Sequence, residues 1–195
     1  MKRQWLERRL SQIPPEFGIP ELDTLTARPD CHPEQAAVIE QLRANPDASF
    51  LLCGRNGAGK TYLGYALHVR ALRAGRPALA MKTRDLLAEF RRMETGELNE
   101  KGVDFQAQVT SEQLNETPAR WSIFLDEFEK ARVTEFTSEM LYALIDAAWA
   151  NEHQLIITSN LSHRELLRRW GQINETYGES IVRRLAARCI GVGMC

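Results

Sequence analysis

Nowhere in the 195 residues does an uninterrupted apolar run approach the ~20 residues that a membrane span requires. The opening Met1–Leu10 stretch is charged throughout, which excludes a secretory signal there. Charge of one sign is not in excess either. The 25 Lys and Arg stand against 26 Asp and Glu, which excludes a histone-like basic coat and leaves room only for a local basic patch. Cysteine is scarce: Cys31, Cys53, Cys189 and Cys195 form no CxxC pair. Neither a disulfide frame nor a zinc site is expected, and without a secretory signal these residues read as reduced thiols of a cytoplasmic protein. Internal repeats and low-complexity tracts are missing too. What remains is ordinary globular usage, 44% hydrophobic and 26% charged, in a length that suits one domain at ~100–200 residues each.

The pattern along the chain alternates between strand and helix. Lys2–Gln12 reads as a short helix ended by Ile13-Pro14-Pro15, and Glu16–Asp30, rich in Pro, Gly, Asp and Thr, as an ordered surface loop. Pro33–Ala44 has an apolar face and a proline suited to a first turn. Strands are expected at Ser49–Cys53, Ala78–Lys82, Ser122–Asp126 and Gln154–Ser159, with a last one at Cys189–Val192. Helices are expected at Thr61–Ala74, after Thr83 as N-cap, through Phe136–Trp149, and at Ser162–Trp170 and Glu179–Arg188. Glu94–Arg120 is polar and weakly patterned, which suggests loop with one short helix. Unbroken apolar strands between helices mean an α/β protein with a parallel sheet of about five strands, covered on both faces. The expected division is a short N-terminal helix at 1–12 and one domain at 13–195.

Gly54-Arg55-Asn56-Gly57-Ala58-Gly59-Lys60-Thr61 fits G-x-x-x-x-G-K-[ST] position by position. Backbone N–H groups that converge on a polyphosphate need glycines where a Cβ would block the turn or the ligand. The helix after the turn offers free N–H groups and its positive dipole end to the same phosphates. Lys60 is expected to reach the β- and γ-phosphates, and the Thr61 hydroxyl to bind Mg²⁺.

Asp126 and Glu127 end the apolar run Ile123-Phe124-Leu125. A carboxylate at a strand tip beside the cradle suits Mg²⁺, and the next one suits an attacking water, so hydrolysis fits better than transfer to an alcohol. Asn160 closes the QLIITSN strand. It is placed to hydrogen-bond the attacking water or the γ-phosphate, while capping the following helix is its ordinary alternative. Arg183, Arg184 and Arg188 read either as a solvated helix face or as a source of an arginine for a neighbouring subunit's γ-phosphate, and spacing does not choose.

Together GRNGAGKT, SIFLDEFEK, QLIITSN and GESIVRRLAARC resemble the AAA+ ATPase core of DnaC-type bacterial helicase loaders and of IstB-type ATPases that assist transposases. The resemblance runs from about Ile13 to Cys189. It implies a P-loop NTPase fold, ATP with Mg²⁺, hydrolysis that is weak unless subunits assemble, self-oligomers with shared nucleotide sites, and contact with single-stranded DNA and a replicative helicase. Residue by residue, Lys60 and Thr61 match the Walker A pair, Asp126 and Glu127 the Walker B pair, Asn160 sensor 1, and Arg184 the arginine finger. Three departures accompany it. Only a short helix and a loop precede the core, where relatives carry a helicase-gripping segment. No C-terminal lid is expected after the last strand. Many relatives have an Arg where this chain reads Asp146-Ala147-Ala148-Trp149. An IstB-type transposition helper and a nucleotide-gated adaptor with negligible turnover are the alternatives, and a small-molecule phosphotransferase is disfavoured for want of an arginine-rich lid segment.

Other residues attract less. Cys31-His32 and His153 lack further ligands at metal-binding spacing and read as surface or loop residues. Trp121, Trp149 and Trp170 suit core or interface better than base stacking. Lys2, Arg3, Arg8 and Arg9, and likewise Lys82, Arg91 and Arg92, read as solvated charge at least as readily as phosphate contacts.

Overall fold

The computed structural model describes residues 2–27, 34–95, 114–115, 118–132, 134–171 and 177–194. The expected features at Cys31-His32 and Pro33, and most of Glu94–Arg120, lie outside the described residues. Helix α1 spans Lys2–Leu10 and α2 Glu34–Ala44. Then come β1 Ser49–Gly54, α3 Lys60–Arg73, β2 Ala78–Lys82, α4 Thr83–Glu94 and β3 Ser122–Asp126. The chain continues through α5 Glu135–Ala150, β4 Gln154–Ser159, α6 His163–Gly171, α7 Tyr177–Arg188 and β5 Cys189–Met194. Among the described residues no helix is long and apolar enough to cross a membrane.

The five strands form one parallel sheet in the order β2-β3-β4-β1-β5. Strands that run parallel need crossover helices, and these cover both faces. Successive strand side chains point to opposite faces. Phe50, Leu52, Phe124 and Ile156 pack with Val38, Ile39 and Leu42 of α2 and Leu63 and Leu67 of α3. Leu51, Ile123, Leu125, Leu155 and Ile157 pack on the other side with Leu86, Leu141, Leu144 and Leu185. The α3 layer lies tight on the sheet because Gly64 presents no side chain; a Cβ there would lie 2.3 Å from the Phe124 ring. Leu6 and Leu10 of α1 lie against Ala71, Leu72 and Ala78.

Several expectations need correcting. Thr83 does not cap α4: Lys82 is the N-cap, and the buried Thr83 hydroxyl donates to the Asp126 carbonyl oxygen at 3.0 Å, tying β2 to the end of β3. His153 is not a surface histidine. It is 1% exposed, its Nδ1 accepts from the Trp121 N–H at 3.2 Å, and its Nε2 lies 2.9 Å from the Leu114 carbonyl oxygen. The 16–27 stretch is more than a surface loop. Leu22 and Leu25 are buried, and the Arg43 guanidinium donates to both of their carbonyl oxygens. Irregular backbone of this kind shows no hydrophobic period, so its burial is invisible to pattern reading. The core reading holds for Trp170, which is fully buried and stacked on Phe128 at 5.2 Å, while Trp149 remains 37% exposed.

His68 on α3 is buried edge-on to Tyr65, and its Nδ1 has no partner among the described residues. Burial, and secondarily the Arg9 charge, lowers its pKa from 6.5 to about 4. The folded protein therefore resists a proton that the unfolded chain takes up below pH 6.5. Stability should fall from pH 6.5 to 4 by up to about 3 kcal/mol from this group alone and be free of the penalty above that range. Urea denaturation at pH 7, 5.5 and 4.5 should show a steeper loss for the wild type than for His68→Met. Parallel pH profiles would refute the assignment.

Candidate functional site

The strand order puts β4, not β2, beside β1, with β3 next beyond it, so the turn after β1 opens at the carboxyl edge of the sheet near the tips of β4 and β3. That edge is where α/β sheets present ligand crevices. Cys53 pairs with Ser159 and Lys82 with Asp126 in register, which brings Gly54, Asn160 and Asp126 to one rim.

The turn itself is shaped by glycine. Gly57 and Gly59 have φ of 82° and 87°, a region costly to side-chain-bearing residues. Gly54 is required for a different reason: a Cβ there would sit 1.7 Å from the Met194 carbonyl oxygen of β5. Gly59 is the N-cap of α3, so the helix opens directly on the turn with its unsatisfied N–H groups.

Lys60 is 7% exposed and its ammonium uses all three donors. Nζ donates to Gly54 O at 2.7 Å, Arg55 O at 2.8 Å and Asn160 Oδ1 at 2.8 Å. Burial pushes its pKa below the ordinary lysine value, against the pull of Glu129 and then Asp126. Asp126 Oδ1 accepts from Thr61 Oγ1 at 2.9 Å and from Thr158 Oγ1 at 2.5 Å. The Thr158 hydroxyl in turn accepts from the Glu127 N–H at 3.0 Å.

Glu127 takes a left-handed backbone, φ 55°, which turns it away from its neighbour Asp126. One carboxylate oxygen accepts from Lys130 and the other lies 3.5 Å from Lys82 Nζ. The Lys130 hydrogen bond first, and Lys82 next among the attractive causes, holds its carboxyl below the usual glutamate value. A 3₁₀ turn, Phe128–Lys130, follows, pinned by buried Phe128 under Trp170, and it carries Glu129 back toward the rim. Asn160 Nδ2 donates to Glu129 Oε1 at 2.5 Å.

These groups border a cavity of about 720 Å³, within the ~300–1,000 Å³ range of small-molecule sites. Lys60, Thr61, Asp126, Glu127 and Asn160 all line it, as do Asn56, Gly57 and Gly59. Gly54, Arg55 and Ala58 do not; the first two contribute carbonyl oxygens to Lys60 from behind. Arg184 lies elsewhere, on α7 against α5. Its Nε donates to Asp146 Oδ1 at 2.9 Å, its Nη2 donates to the Tyr142 hydroxyl at 2.8 Å, and the guanidinium sits 4.5 Å over that ring.

Sequence reasoning missed three sets of residues here. Glu129 borders the cavity two positions beyond the acid pair, where only the short turn could have signalled it. Gln35 of α2 reaches the floor beside Gly59. The segment from Glu16 to Thr26 forms a whole wall through Phe17, Ile19 and Leu25. The free thiol of Cys53, next to Gly54, is pushed up to about 11 chiefly by burial, and that of Cys189 to about 12, so neither is nucleophilic near neutrality.

A family model described as IstB-like ATP binding protein matches residues 3–193. Comparison with curated protein sequences gives no match. The fold is similar to that of the DnaC helicase loader, with a TM-score of 0.67 and 21% identity over 92% of this chain and 99% of the other. It is similar to DnaI as well, with a TM-score of 0.71 and 14% identity over 94% and 95% of the two chains. A replication initiator, DnaA bound to AMPPCP and single-stranded DNA, gives a TM-score of 0.63 and 16% identity over 90% of this chain and 49% of that one.

Thr158 joins the two acidic residues through one buried hydroxyl. Thr158→Val would leave the Glu127 N–H unpaired and strip a donor from Asp126, costing about 1–3 kcal/mol, whereas Thr158→Ser should recover most of that. Chemical denaturation of the three proteins measures it, and equal stability of the valine variant and wild type would refute the bridge.

Proposed function

The chain belongs to the IstB-like ATP-binding protein family of AAA+ ATPases, and from that premise we propose that it binds and hydrolyses ATP at the rim cavity, as one subunit of an assembly acting on nucleic acid. The observation that carries this reading is the convergence of Lys60, Thr61, Asp126 and Asn160 on one cavity of nucleotide size.

In this reading the N–H groups at the start of α3 and the Lys60 ammonium hold the β- and γ-phosphates. Lys60 exchanges its contact with Asn160 for phosphate oxygen, which a donor-only group does readily. Thr61 and Asp126 suit Mg²⁺: both offer hard oxygens, 2.9 Å apart, and among the described residues no group of three or more His, Cys, Asp or Glu could hold a metal alone. Two protein oxygens completed by phosphate and water is the coordination this ion favours. The ion would neutralise charge on the phosphate oxygens. Glu127, once released from Lys130 and Lys82, takes the proton of the attacking water as its oxygen bonds to the γ-phosphorus and the bond to the bridging oxygen breaks. Arg184 serves the site of a neighbouring protomer, and Asp146 and Tyr142 hold it ready meanwhile.

Residues 13–195 act as the ATP-binding domain, with α1 docked on α3. The proposed setting is the cytoplasm and DNA replication, through assembly on single-stranded DNA, on a replicative helicase, or on both. The likeness in fold to a helicase loader and to an initiator bound to single-stranded DNA supports this reading. The match to an IstB-like family, together with the resemblance to IstB-type ATPases that assist transposases, favours a second one, a helper ATPase for a transposase. The lysine-paired Glu127 favours a third, an adaptor that binds ATP and barely turns it over.

Titration with a fluorescent ATP analogue should show Lys60→Ala binding about tenfold or more weaker than wild type, while Glu127→Gln binds nearly as well and loses about 10²–10⁴ in turnover. Equal affinity in wild type and Lys60→Ala would defeat the cradle. Turnover per subunit should rise with protein concentration and with single-stranded DNA, and Arg184→Ala should lower it by about 10³ or more. Turnover that ignores both concentration and Arg184 would defeat the shared site.

A further inference from the structure

One carboxylate at the cavity belongs to no motif. Glu129 is 7% exposed and lines the cavity beside Lys60 and Asn160. Its Oε1 accepts from Asn160 Nδ2 at 2.5 Å, and Asn160 Oδ1 accepts from Lys60 Nζ at 2.8 Å. Its second oxygen, Oε2, is buried without a hydrogen-bond partner among the described residues. A glutamate kept for the sake of the fold would have both oxygens satisfied, because an unpaired buried acceptor is costly and rare in native proteins. The unpaired oxygen is itself enclosed, while the side chain that carries it lines the cavity.

The hydrogen-bonding inventory decides the direction of the Asn160 amide. An ammonium only donates and a carboxylate only accepts, whereas an amide has one end of each kind. With Lys60 on one side and Glu129 on the other, a single orientation satisfies both. The reverse orientation would set nitrogen against ammonium and carbonyl oxygen against carboxylate. Lys60 is the contact that a triphosphate removes, but the Glu129 contact does not depend on Lys60. The amide therefore keeps its direction after Lys60 has left.

We propose that Glu129 is a positioning residue of the nucleotide site, which anchors the nitrogen of Asn160 so that its carbonyl oxygen faces the cavity and accepts a hydrogen bond from the attacking water. This rests on the reading of the cavity as an ATP site and narrows it. Of the two partners open to Asn160, water and γ-phosphate, the anchored amide offers an acceptor and thus suits water, because a phosphate oxygen needs a donor.

The test reverses the polarity of the pair. Asn160→Asp alone sets two carboxylates together and should lower turnover about 30-fold or more; adding Glu129→Gln gives that aspartate a donor again and should recover about tenfold of the loss. Glu129→Ala should lower kcat about tenfold or more while the Kd for ATP shifts less than about threefold, a split expected of misplacement and not of lost binding. Independently of turnover, the side-chain amide protons of Asn160 in the nucleotide-free protein, followed by NMR, should exchange more slowly in wild type than in Glu129→Ala. Unchanged amide exchange would overturn the proposal, and so would a double variant no more active than Asn160→Asp. Either result, with ATP binding intact in the wild type, would leave the nucleotide reading standing. A wild-type protein that binds no ATP would overturn both together.

Discussion

A single ammonium group holds three parts of the chain in one arrangement. Lys60 sits at the first position of α3, and its three hydrogen bonds reach the end of β1, the turn that follows it and the tip of β4. No other group described here spans the cradle, the helix it opens and the neighbouring strand. The cation is nearly buried; burial lowers its pKa from the ordinary lysine value, and Glu129 and then Asp126 pull it back up. The acidic rim thus offsets part of the cost of burying the lysine, and the lysine in turn screens the rim carboxylates from one another. Each half of the site makes the other half tolerable.

Much of this was legible beforehand. The eight residues from Gly54 to Thr61 carry their geometry in their composition, since glycines and a following helix admit few other shapes. The strands were legible because each is unbroken and apolar, which leaves them no place except the middle of a covered sheet. The ladder order was not: which strand neighbours which depends on the crossovers, and no local pattern records it. Thr83 shows a related limit. As a threonine before a helical pattern it reads as a cap, yet its hydroxyl is drawn to a carbonyl on another strand, and a long-range partner outranks local propensity. His153 misleads in the same way, being polar in sequence and fully enclosed in fact.

The wall between Glu16 and Thr26 was the least legible part. It has no period and few apolar residues, and it is held by backbone carbonyls that accept from Arg43, one helix away. Such a segment takes its shape from its neighbours. Phe17 lies 5.1 Å from Tyr65, and Tyr65 meets the Phe124 ring edge-on at 5.1 Å, so the wall is continuous through aromatic contacts with the middle of the sheet. Displacement of the wall by a bound molecule would be felt at Phe124, and through it at β3, whose tip carries Asp126.

The contact between Gly54 and β5 bears on the order in which the molecule is made. The Met194 carbonyl oxygen stands where a side chain on residue 54 would be, and β5 pairs along the whole of β1. More than a hundred residues separate the two in the polypeptide. On the ribosome, therefore, the cradle emerges early but lacks one flank until β5 leaves the exit tunnel. A nascent chain cannot present the finished cradle before β5 has been made, and capture of a ligand there waits for that strand.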